Sequence, residues 1–366
     1  MEAKSILAKL PEALLPWYDA GHRELPWRQD TDPYHIWVSE IMLQQTRVEA
    51  VKGYYARFLE NLPTVESLAN CDDDLLHKLW EGLGYYSRVR NLKKAAQQIM
   101  TLHSGKFPTE YADVRALPGI GDYTAGAVCS IAFNLPTPAV DGNVLRVLSR
   151  LTDEHTPIDL PAFKKNAMER LSKIYPDRAG DFTQALMELG ATLCGPNRLP
   201  DCENCPCKEF CLGFKTGSAP LLPKKSPKKQ RRMEEKTVLI LCCNGRFALE
   251  KRPNKGLLAG LWQFPNVSGK LTTQEILDKV ESYSLIPKEL YMQVERKHIF
   301  THIEWDMRGV YVETENCNTE FLWLTAEEID AQMALPTAFR LFWETADGLR
   351  ADVIFEKNPN KTKNNV

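Results

Sequence analysis

Apolar residues recur at the three-to-four-residue spacing of an amphipathic helix through most of the first 215 residues. The stretch from Tyr34 to Phe58 shows this spacing clearly, and strand-like alternation is nearly absent before residue 215. The N-terminal residues show a similar pattern that a proline interrupts. Further helices are predicted over residues 73–80, 88–102, 124–133, 143–151, 162–174 and 182–193. We therefore predict an all-α domain over residues 1–217.

The pattern changes after that point. Residues 223–232 contain six basic side chains, two prolines and no acid, a composition typical of an extended, solvated linker. We place this linker over residues 218–235. It either serves as a simple tether or also contacts phosphate groups, and the composition supports both interpretations equally.

Beyond the linker, the hydrophobic period shortens to that of a β-strand. Asn244-Gly245 separates two apolar runs and predicts a hairpin with a type I′ turn. These elements indicate a small α+β domain over residues 236–350, followed by a disordered polar tail over residues 351–366. The predicted strands are 238–243, 246–251, 262–264, 297–314 and 321–324, and the predicted helices are 273–283 and 338–346.

A chain of 366 residues is long enough for two domains, which agrees with this division. Its formal charge of −2 provides no overall attraction to nucleic acid, so any nucleic-acid surface has to be local. No apolar run approaches the roughly 20 residues of a membrane span, and the N-terminus lacks the architecture of a secretory signal. We expect a cytoplasmic protein.

Five of the ten cysteines lie in one short stretch of the chain. Cys194, Cys202, Cys205 and Cys211 have seven, two and five residues between them, and Cys207 is left over. In a reducing compartment this grouping indicates metal binding rather than disulfides. Four thiolates in one loop can hold zinc or a [4Fe–4S] cluster. Because only one pair has the spacing of a zinc knuckle, the irregular loop favours the iron–sulfur cluster.

A glycine-rich motif, Leu117-Pro-Gly-Ile-Gly121, lies in the predicted helical domain. Such a loop binds dinucleotides only where a strand precedes it, and no strand is predicted here. Between two helices it forms a tight hairpin whose amides, at Gly119 and Gly121, point outward at the N-terminus of the second helix. These amides can bind a DNA phosphate without reading the sequence. Taken alone, the motif is also compatible with an ordinary glycine turn.

Two carboxylates occur in contrasting environments. Glu40 lies in an apolar stretch, where desolvation is expected to raise its pKa and keep it protonated. Asp141 lies where a helix begins, so amide hydrogen bonds and the helix dipole are expected to keep it ionised. Alone, each has a simpler explanation, as a helix-edge residue and an N-cap. Together with the hairpin and the cysteines, they indicate the division of labour that cleaves glycosidic bonds.

The order of these motifs closely resembles the A/G-specific adenine DNA glycosylases of the helix–hairpin–helix superfamily. The resemblance covers the helical part and, more loosely, the C-terminal domain. It implies hydrolysis of the N-glycosidic bond of adenine mispaired with 8-oxoguanine or guanine in double-stranded DNA, leaving an abasic site. It also implies a [4Fe–4S] cluster, a monomeric state and a bacterial, nucleoid-associated location. The motifs are Leu25-Pro-Trp-Arg28, Trp37-Val-Ser-Glu-Ile-Met-Leu-Gln-Gln-Thr46, Gly82-Leu-Gly-Tyr-Tyr86, LPGIG, Val140-Asp-Gly-Asn143 and the cysteine loop.

By this resemblance, Glu40 is the general acid that protonates N7 of adenine, and Asp141 stabilises the oxocarbenium-like sugar. Asn143 and Tyr123 support the two acids. Related bifunctional enzymes similar to endonuclease III carry a lysine where this chain has Tyr123, so strand cleavage by an amine is not expected. Core packing is the competing explanation for the two aliphatic residues of the matched adenine pocket. The pocket consists of Arg23, Trp27, Arg28, Leu43, Val48 and Gln184.

Two further residues resemble those that the family inserts into the base stack near the lesion, Gln45 and Tyr85. Removing a base from the duplex costs a few kcal/mol, and wedge side chains help to offset that cost. Tyr85 lies in a glycine-rich loop, which suits an exposed wedge, and we favour it over its neighbour Tyr86.

The C-terminal domain resembles Nudix hydrolases in fold, and Phe300-Thr301-His302 matches the family's Phe-Ser-His motif that contacts 8-oxoguanine. The glutamate-rich Nudix box is missing, so we expect recognition rather than pyrophosphate hydrolysis. Thr301 replaces the usual serine; it keeps the hydroxyl and adds a methyl group. The tripeptide is also compatible with a plain stretch of strand.

The chain departs from the family in the cysteine loop, where seven residues instead of the usual six separate Cys194 from Cys202. Two alternatives compete with the adenine assignment. A related glycosylase acting on thymine mismatches or oxidised pyrimidines is disfavoured by Tyr123, Gln184 and the C-terminal domain. A non-catalytic DNA-binding protein with a structural or redox-sensing cluster is disfavoured because both acids are retained.

Overall fold

The computed structural model describes residues 6–227 and 230–345. Within them, residues 6–71 and 87–227 form one compact unit, and residues 72–86 with 230–345 form a second. The predicted tail over residues 351–366 lies outside the described residues. No helix in the described ranges is long and apolar enough to cross a membrane.

The first unit is helical, as predicted, and its described residues contain no strand. Three short 3₁₀ turns, Pro26–Arg28, Lys208–Phe210 and Ala219–Leu221, complete it. Its helices are α1 (Leu10–Gly21), α2 (Pro33–Leu43), α3 (Val48–Asn61), α4 (Val65–Asn70), α6 (Ser87–Leu102), α7 (Tyr111–Ala116), α8 (Asp122–Phe133), α9 (Gly142–Leu151), α10 (Pro161–Leu171), α11 (Ala179–Ala191) and α12 (Leu212–Lys215).

The single apolar stretch from Tyr34 to Phe58 is divided between α2 and α3. The break falls at Gln45, whose φ of 61° is left-handed and cannot continue a right-handed helix. Arg88 stabilises the end of α2, since its guanidinium donates to the carbonyls of Ile41 at 2.6 Å and Gln44 at 2.6 Å. Periodicity alone does not reveal this break, because apolar residues continue on both sides of it.

The core of the first unit lies between α1, α9, α10 and α11. Three of these helices, α1, α9 and α11, each contribute a pair of buried residues four positions apart. The two residues of a pair lie on one face of their helix, and the three pairs meet in a common cluster. These pairs are Leu10 and Leu14, Val144 and Leu148, and Phe182 and Leu186. Helix α8 packs closely beside this core: a Cβ on Gly126 would lie 2.1 Å from the carbonyl oxygen of Pro138. Only glycine allows that approach.

The second unit is built on a seven-stranded mixed sheet in the order β3-β2-β1-β6-β5, with β4 pairing to β1 and β7 pairing to β2. Strands β1 and β6 are parallel, and β5 and β6 are antiparallel. Buried side chains cover both faces of the sheet. The strands are β1 (Arg232–Cys243), β2 (Arg246–Lys251), β3 (Trp262–Gln263), β4 (Asn266–Ser268), β5 (Pro287–Ile299), β6 (Ile303–Thr314) and β7 (Leu322–Leu324); the helices are α13 (Thr273–Ser282), α14 (Ala326–Gln332) and residues 337–345.

The predicted Asn244-Gly245 turn is present, with left-handed φ values of 50° and 77° that fit a type I′ turn. The predicted strand over residues 297–314 is in fact two antiparallel strands, β5 and β6, joined by a turn at residues 300–302. Strand β1 begins at Arg232, inside the range predicted as linker.

Residues 72–86 group with the second unit, which the sequence did not indicate. They include α5 (Asp73–Leu79). The Lys78 ammonium donates to the carbonyl of Met333 at 3.1 Å, and Glu81 accepts from Arg340 at 2.6 Å. These polar contacts join residues far apart in the chain, so hydrophobic periodicity carries no sign of them.

Candidate active site

One large cleft of about 1650 Å³ opens in the first unit. It brings together twelve residues that the sequence singled out at positions from 23 to 184. The half-buried Leu43 and Val48 also face this cleft, which favours the pocket interpretation of these two over simple core packing. The predicted residues that line it are Arg23, Trp27, Arg28, Glu40, Leu43, Gln45, Val48, Gly121, Tyr123, Asp141, Asn143 and Gln184.

Glu40 lies on the buried face of α2 and is only 5% exposed. Burial raises the pKa of its carboxyl to about 7, although the phenol of Tyr123 donates a hydrogen bond to it and opposes the shift. The nearby Asp141 also raises this pKa, and Arg28 lowers it. Burial and the neighbouring carboxylate likewise raise the pKa of Tyr123, so its phenol remains a donor. At neutral pH, much of Glu40 therefore carries the proton that a general acid requires.

Asp141 is the N-cap of α9, as expected. One carboxylate oxygen accepts from the amide of Val144 at 2.8 Å, and the other accepts from the side-chain amide of Asn143 at 2.7 Å. These bonds favour the ionised form, yet burial outweighs them and raises the pKa of Asp141 above its ordinary value. The expectation of a carboxylate stabilised by its cap thus captured the hydrogen bonds but missed the opposing effect of desolvation.

Glu188 is the main site residue that sequence reasoning missed. It is 2% exposed on α11, and its carboxylate binds Arg23 through two bonds of 2.6 and 2.9 Å and Arg28 through one of 2.8 Å. Burial alone would raise the pKa of Glu188, but the two arginines lower it below its usual value. Glu188 follows Gln184 by one helical turn, so the i, i+4 spacing was an available signal.

A hydrogen-bonded path leads from Asp141 toward the cysteine loop. Asn143, which donates to Asp141, accepts a bond of 2.7 Å from the guanidinium of Arg146. Arg146 also donates to the carbonyls of Gly190 at 2.7 Å and Cys194 at 2.9 Å. Since Arg146 is buried, these bonds fix its position, and Arg146 in turn orients the amide that holds the catalytic candidate.

The LPGIG hairpin joins α7 to α8, as the motif predicted. Gly119 has a φ of 79°, and a Cβ there would lie 2.6 Å from the Cβ of Asn91, so glycine is required on both counts. Gly121 is the N-cap of α8 and lines the cleft, whereas Gly119 does not. The hairpin therefore places a helix N-terminus beside the acids.

The cysteine loop forms a separate small cavity in the same unit. All five cysteines of the loop line it, together with Arg150, whose guanidinium lies 3.2 Å from the sulfur of Cys194. Among the described residues, no three His, Cys, Asp or Glu side chains converge closely enough to hold a single metal ion. Burial raises the pKa of the Cys194 thiol above its ordinary value and outweighs the guanidinium of Arg150, which lowers that pKa.

The remaining predicted residues lie in the second unit. Tyr85 has a left-handed φ of 47° and is 49% exposed, whereas Tyr86 is 5% exposed. This contrast is the one expected for an exposed wedge at Tyr85. Phe300, Thr301 and His302 form the β5–β6 turn rather than strand, and the Thr301 and Tyr85 hydroxyl oxygens lie 3.4 Å apart.

Comparisons with known proteins agree with this architecture. Residues 38–176 match the HhH-GPD superfamily of base excision DNA repair proteins, and residues 237–345 match the NUDIX domain. A solved thermostable thymine-DNA glycosylase is similar to the helical part, with 28% identity and a TM-score of 0.53 over 59% of this chain and all of that chain. The fold and these matches thus define a base-excision DNA glycosylase with an added Nudix-like domain.

Relatives that match most of this chain identify the kind of DNA glycosylase. An adenine DNA glycosylase of Rattus norvegicus is 34% identical over 92% of this chain and 78% of its own length. One of Arabidopsis thaliana is 36% identical over 83% of this chain, which spans only 56% of that relative. This chain belongs to the adenine DNA glycosylase family.

Proposed function

We propose that this enzyme hydrolyses the N-glycosidic bond of adenine mispaired with 8-oxoguanine or guanine in duplex DNA and leaves an abasic site. The observation that carries the proposal is the placement of Glu40 and Asp141 in one cleft, with the pKa of Glu40 raised to about 7. A neutral acid beside a hydrogen-bonded carboxylate suits protonation of a leaving base and stabilisation of the cationic sugar.

In the proposed mechanism, the extruded adenine occupies the cleft and accepts a proton at N7 from Glu40, so that it leaves as a neutral base. The C1′–N9 bond breaks, its electron pair departs with adenine, and the sugar becomes oxocarbenium-like. Asp141, held by Asn143 and the Val144 amide, stabilises this cation. Water then adds at C1′ and gives up a proton to the Glu40 carboxylate, which regenerates the acid. Tyr123 supplies a phenol rather than an amine, so the reaction ends at the abasic site without strand cleavage.

The second unit supplies recognition of the opposite base in this proposal. The exposed Thr301 and His302 form the tip of the β5–β6 hairpin, and Phe300 packs edge-on against Trp305 with ring centroids 4.8 Å apart. The aromatic anchor fixes the turn and leaves the two polar side chains exposed, where they can contact 8-oxoguanine. Tyr85 and Gln45 are the proposed wedge residues, and a monomer suffices for this arrangement.

Cys194, Cys202, Cys205 and Cys211 are proposed to hold a [4Fe–4S] cluster. The donor set fits, because the thiols line one cavity and cysteine thiolates are the ligands of such clusters. A tetrahedral zinc would require all four sulfurs at about 2.3 Å from one point, whereas a four-iron cube distributes them over its corners. Bound to these four cysteines, a cluster would tie the loop together within the helical unit. Gly121 and its hairpin are proposed to bind a DNA phosphate.

Single-turnover release of adenine tests the proposal, with adenine opposite 8-oxoguanine, guanine or cytosine. We expect fast release opposite 8-oxoguanine, and strand breaks only after alkali. Glu40→Gln should slow release by about 10² to 10⁴-fold, the usual contribution of a general acid, while DNA binding persists. The exposed Glu49→Gln is the matched control. No adenine release from any duplex would overturn the proposal and favour a pyrimidine glycosylase or a non-catalytic binder.

A further inference from the structure

The first residues of the predicted linker follow a fixed path on the first unit. The carbonyl of Leu222 accepts from Arg150 at 3.0 Å, and the carbonyl of Lys224 accepts from the amide of Ile158 at 3.1 Å. The amide of Ser226 donates to the carboxylate of Asp159 at 2.9 Å. Three anchors within five residues offset the entropy of ordering the chain, so this segment is part of the helical unit rather than a loose tether.

This anchored segment forms part of the wall of the active-site cleft. Pro223 and Lys225 line the same cleft as Glu40 and Asp141. Lys224, which precedes Lys225, is equally charged and also exposed, but it does not line the cleft. Successive side chains of an extended chain point to opposite sides, which explains why one of the two lysines faces the cleft.

Other cations lie along the same part of the cleft. Lys164 and Lys165, near the start of α10, and Arg198, in the cysteine loop, are exposed and line it. We name these three residues and Lys225 the cationic rim. Of the two acids nearby, Asp159 is engaged by the amide of Ser226, and Glu169 lies 3.9 Å from Lys165. Asp159 keeps its charge, but the four cations of the rim outnumber these two acids, so the rim keeps positive charge at the cleft although the whole chain carries −2.

We propose that the cationic rim binds the phosphodiester backbone beside the extruded nucleotide, so that the anchored linker is a working part of the DNA-binding surface. This inference rests on the proposed function, since it requires the sugar of the target nucleotide to lie at Asp141. Backbone phosphates flanking that sugar would then lie along the cleft walls. Lysines bind phosphate as mobile point charges and do not read sequence, which suits a site that meets many sequence contexts.

The neighbouring lysines provide a matched test. Binding to a duplex with a stable abasic analogue opposite 8-oxoguanine is measured by fluorescence anisotropy between about 50 and 200 mM KCl. Lys225→Ser should weaken binding several-fold and reduce the slope of log Kd against log [KCl] by about 0.9, the value for one phosphate contact. Lys224→Ser should leave the slope unchanged. Equal slopes for Lys225→Ser and the wild type would overturn the inference, as would equal losses for the two variants.

Asp159→Ala tests the anchoring through the sign of its effect. Removing an acid from a DNA-binding surface should tighten binding if only net charge matters. If the anchored path matters, the variant should bind DNA more weakly despite its added positive charge, because Ser226 loses its acceptor and Lys225 loses its position. Tighter or unchanged binding would contradict the anchoring.

Measuring adenine release distinguishes a failure of the cationic rim from a failure of the proposed function. Wild-type enzyme that releases adenine, together with a Lys225→Ser variant that binds DNA with the wild-type salt dependence, would overturn only the rim. Wild-type enzyme that neither binds the duplex nor releases adenine would overturn the proposed function and the rim with it.

Discussion

The hydrogen bond from Tyr123 to Glu40 predicts a specific change in the pH profile of adenine release. Glu40 acts as an acid only when protonated, so the wild-type rate should decline as pH rises through about 7, the pKa that burial gives its carboxyl. The Tyr123 phenol donates to this carboxyl and lowers its pKa. Tyr123→Phe removes that donor, which favours the protonated form. The variant should therefore retain activity at higher pH than the wild type.

The magnitude follows from the strength of such bonds. A hydrogen bond to a charged group contributes about 1.5–3 kcal/mol. Part of this persists when Glu40 is neutral, which leaves a differential of about 1.4 kcal/mol, or roughly one pKa unit. The alkaline limb should move to roughly one unit higher pH. At pH values well above both pKa values, the ratio of variant to wild-type rate should exceed its value below them by about tenfold.

Single-turnover adenine release measured across pH, at saturating enzyme, is the assay. Tyr34→Phe is the control: its phenol donates to the carbonyl of Leu62 at 2.7 Å and has no bond to Glu40, so its profile should match the wild type. An alkaline limb for Tyr123→Phe at the wild-type pH, or at lower pH, would refute the assignment of that limb to Glu40.

Three further predictions concern stability, and urea denaturation checks each of them. The folded-state pKa of Glu40 lies above its ordinary value of 4.5, so the wild type should lose about 3 kcal/mol of its free energy of unfolding as pH rises from about 4.5 to 7. Glu40→Gln should remove this pH dependence and be more stable than the wild type by about 3 kcal/mol at pH values above 7. The opposite sign would show that Glu40 is not destabilised by burial. Glu188→Gln should lower the free energy of unfolding by about 3 kcal/mol, because it leaves Arg28, whose side chain is 10% exposed, without an opposing carboxylate. Adenine release should slow as well. A variant as stable as the wild type would contradict the role given to this ion pair. Gly126→Ala should destabilise the first unit by about 3 kcal/mol, because the added Cβ meets a backbone carbonyl. Gly53→Ala is the control: its Cβ would have no atom within 4 Å, so it should be neutral or stabilising. Similar effects of the two variants would refute close packing at Gly126.

The sequence alone determined the local elements and most of the chemistry-bearing residues. Helical periodicity, the shift to a period of two after the linker, and the Asn244-Gly245 turn depend on near neighbours in the chain, and each was predicted correctly. Local context also indicated the raised pKa of Glu40, which lies in an apolar helix. For Asp141, at a helix start, it indicated the N-cap hydrogen bonds but not the raised pKa. The resemblance then indicated which dispersed residues share a pocket.

Only the tertiary structure decided the relations between distant residues. Glu188 binds Arg23 and Arg28 from more than 150 positions away, and no local pattern marks that pairing. The direction of the pKa shift at Asp141 depended on how completely the surrounding chain excludes water from its carboxylate, which an N-cap motif cannot show. The same holds for residues 222–226, whose composition resembles a free linker but whose backbone is hydrogen-bonded to Arg150 of α9 and to Ile158 and Asp159. Periodicity encodes which face of an element is buried, whereas burial of a charge and the choice of its partner are set by the packing of elements that are remote in sequence.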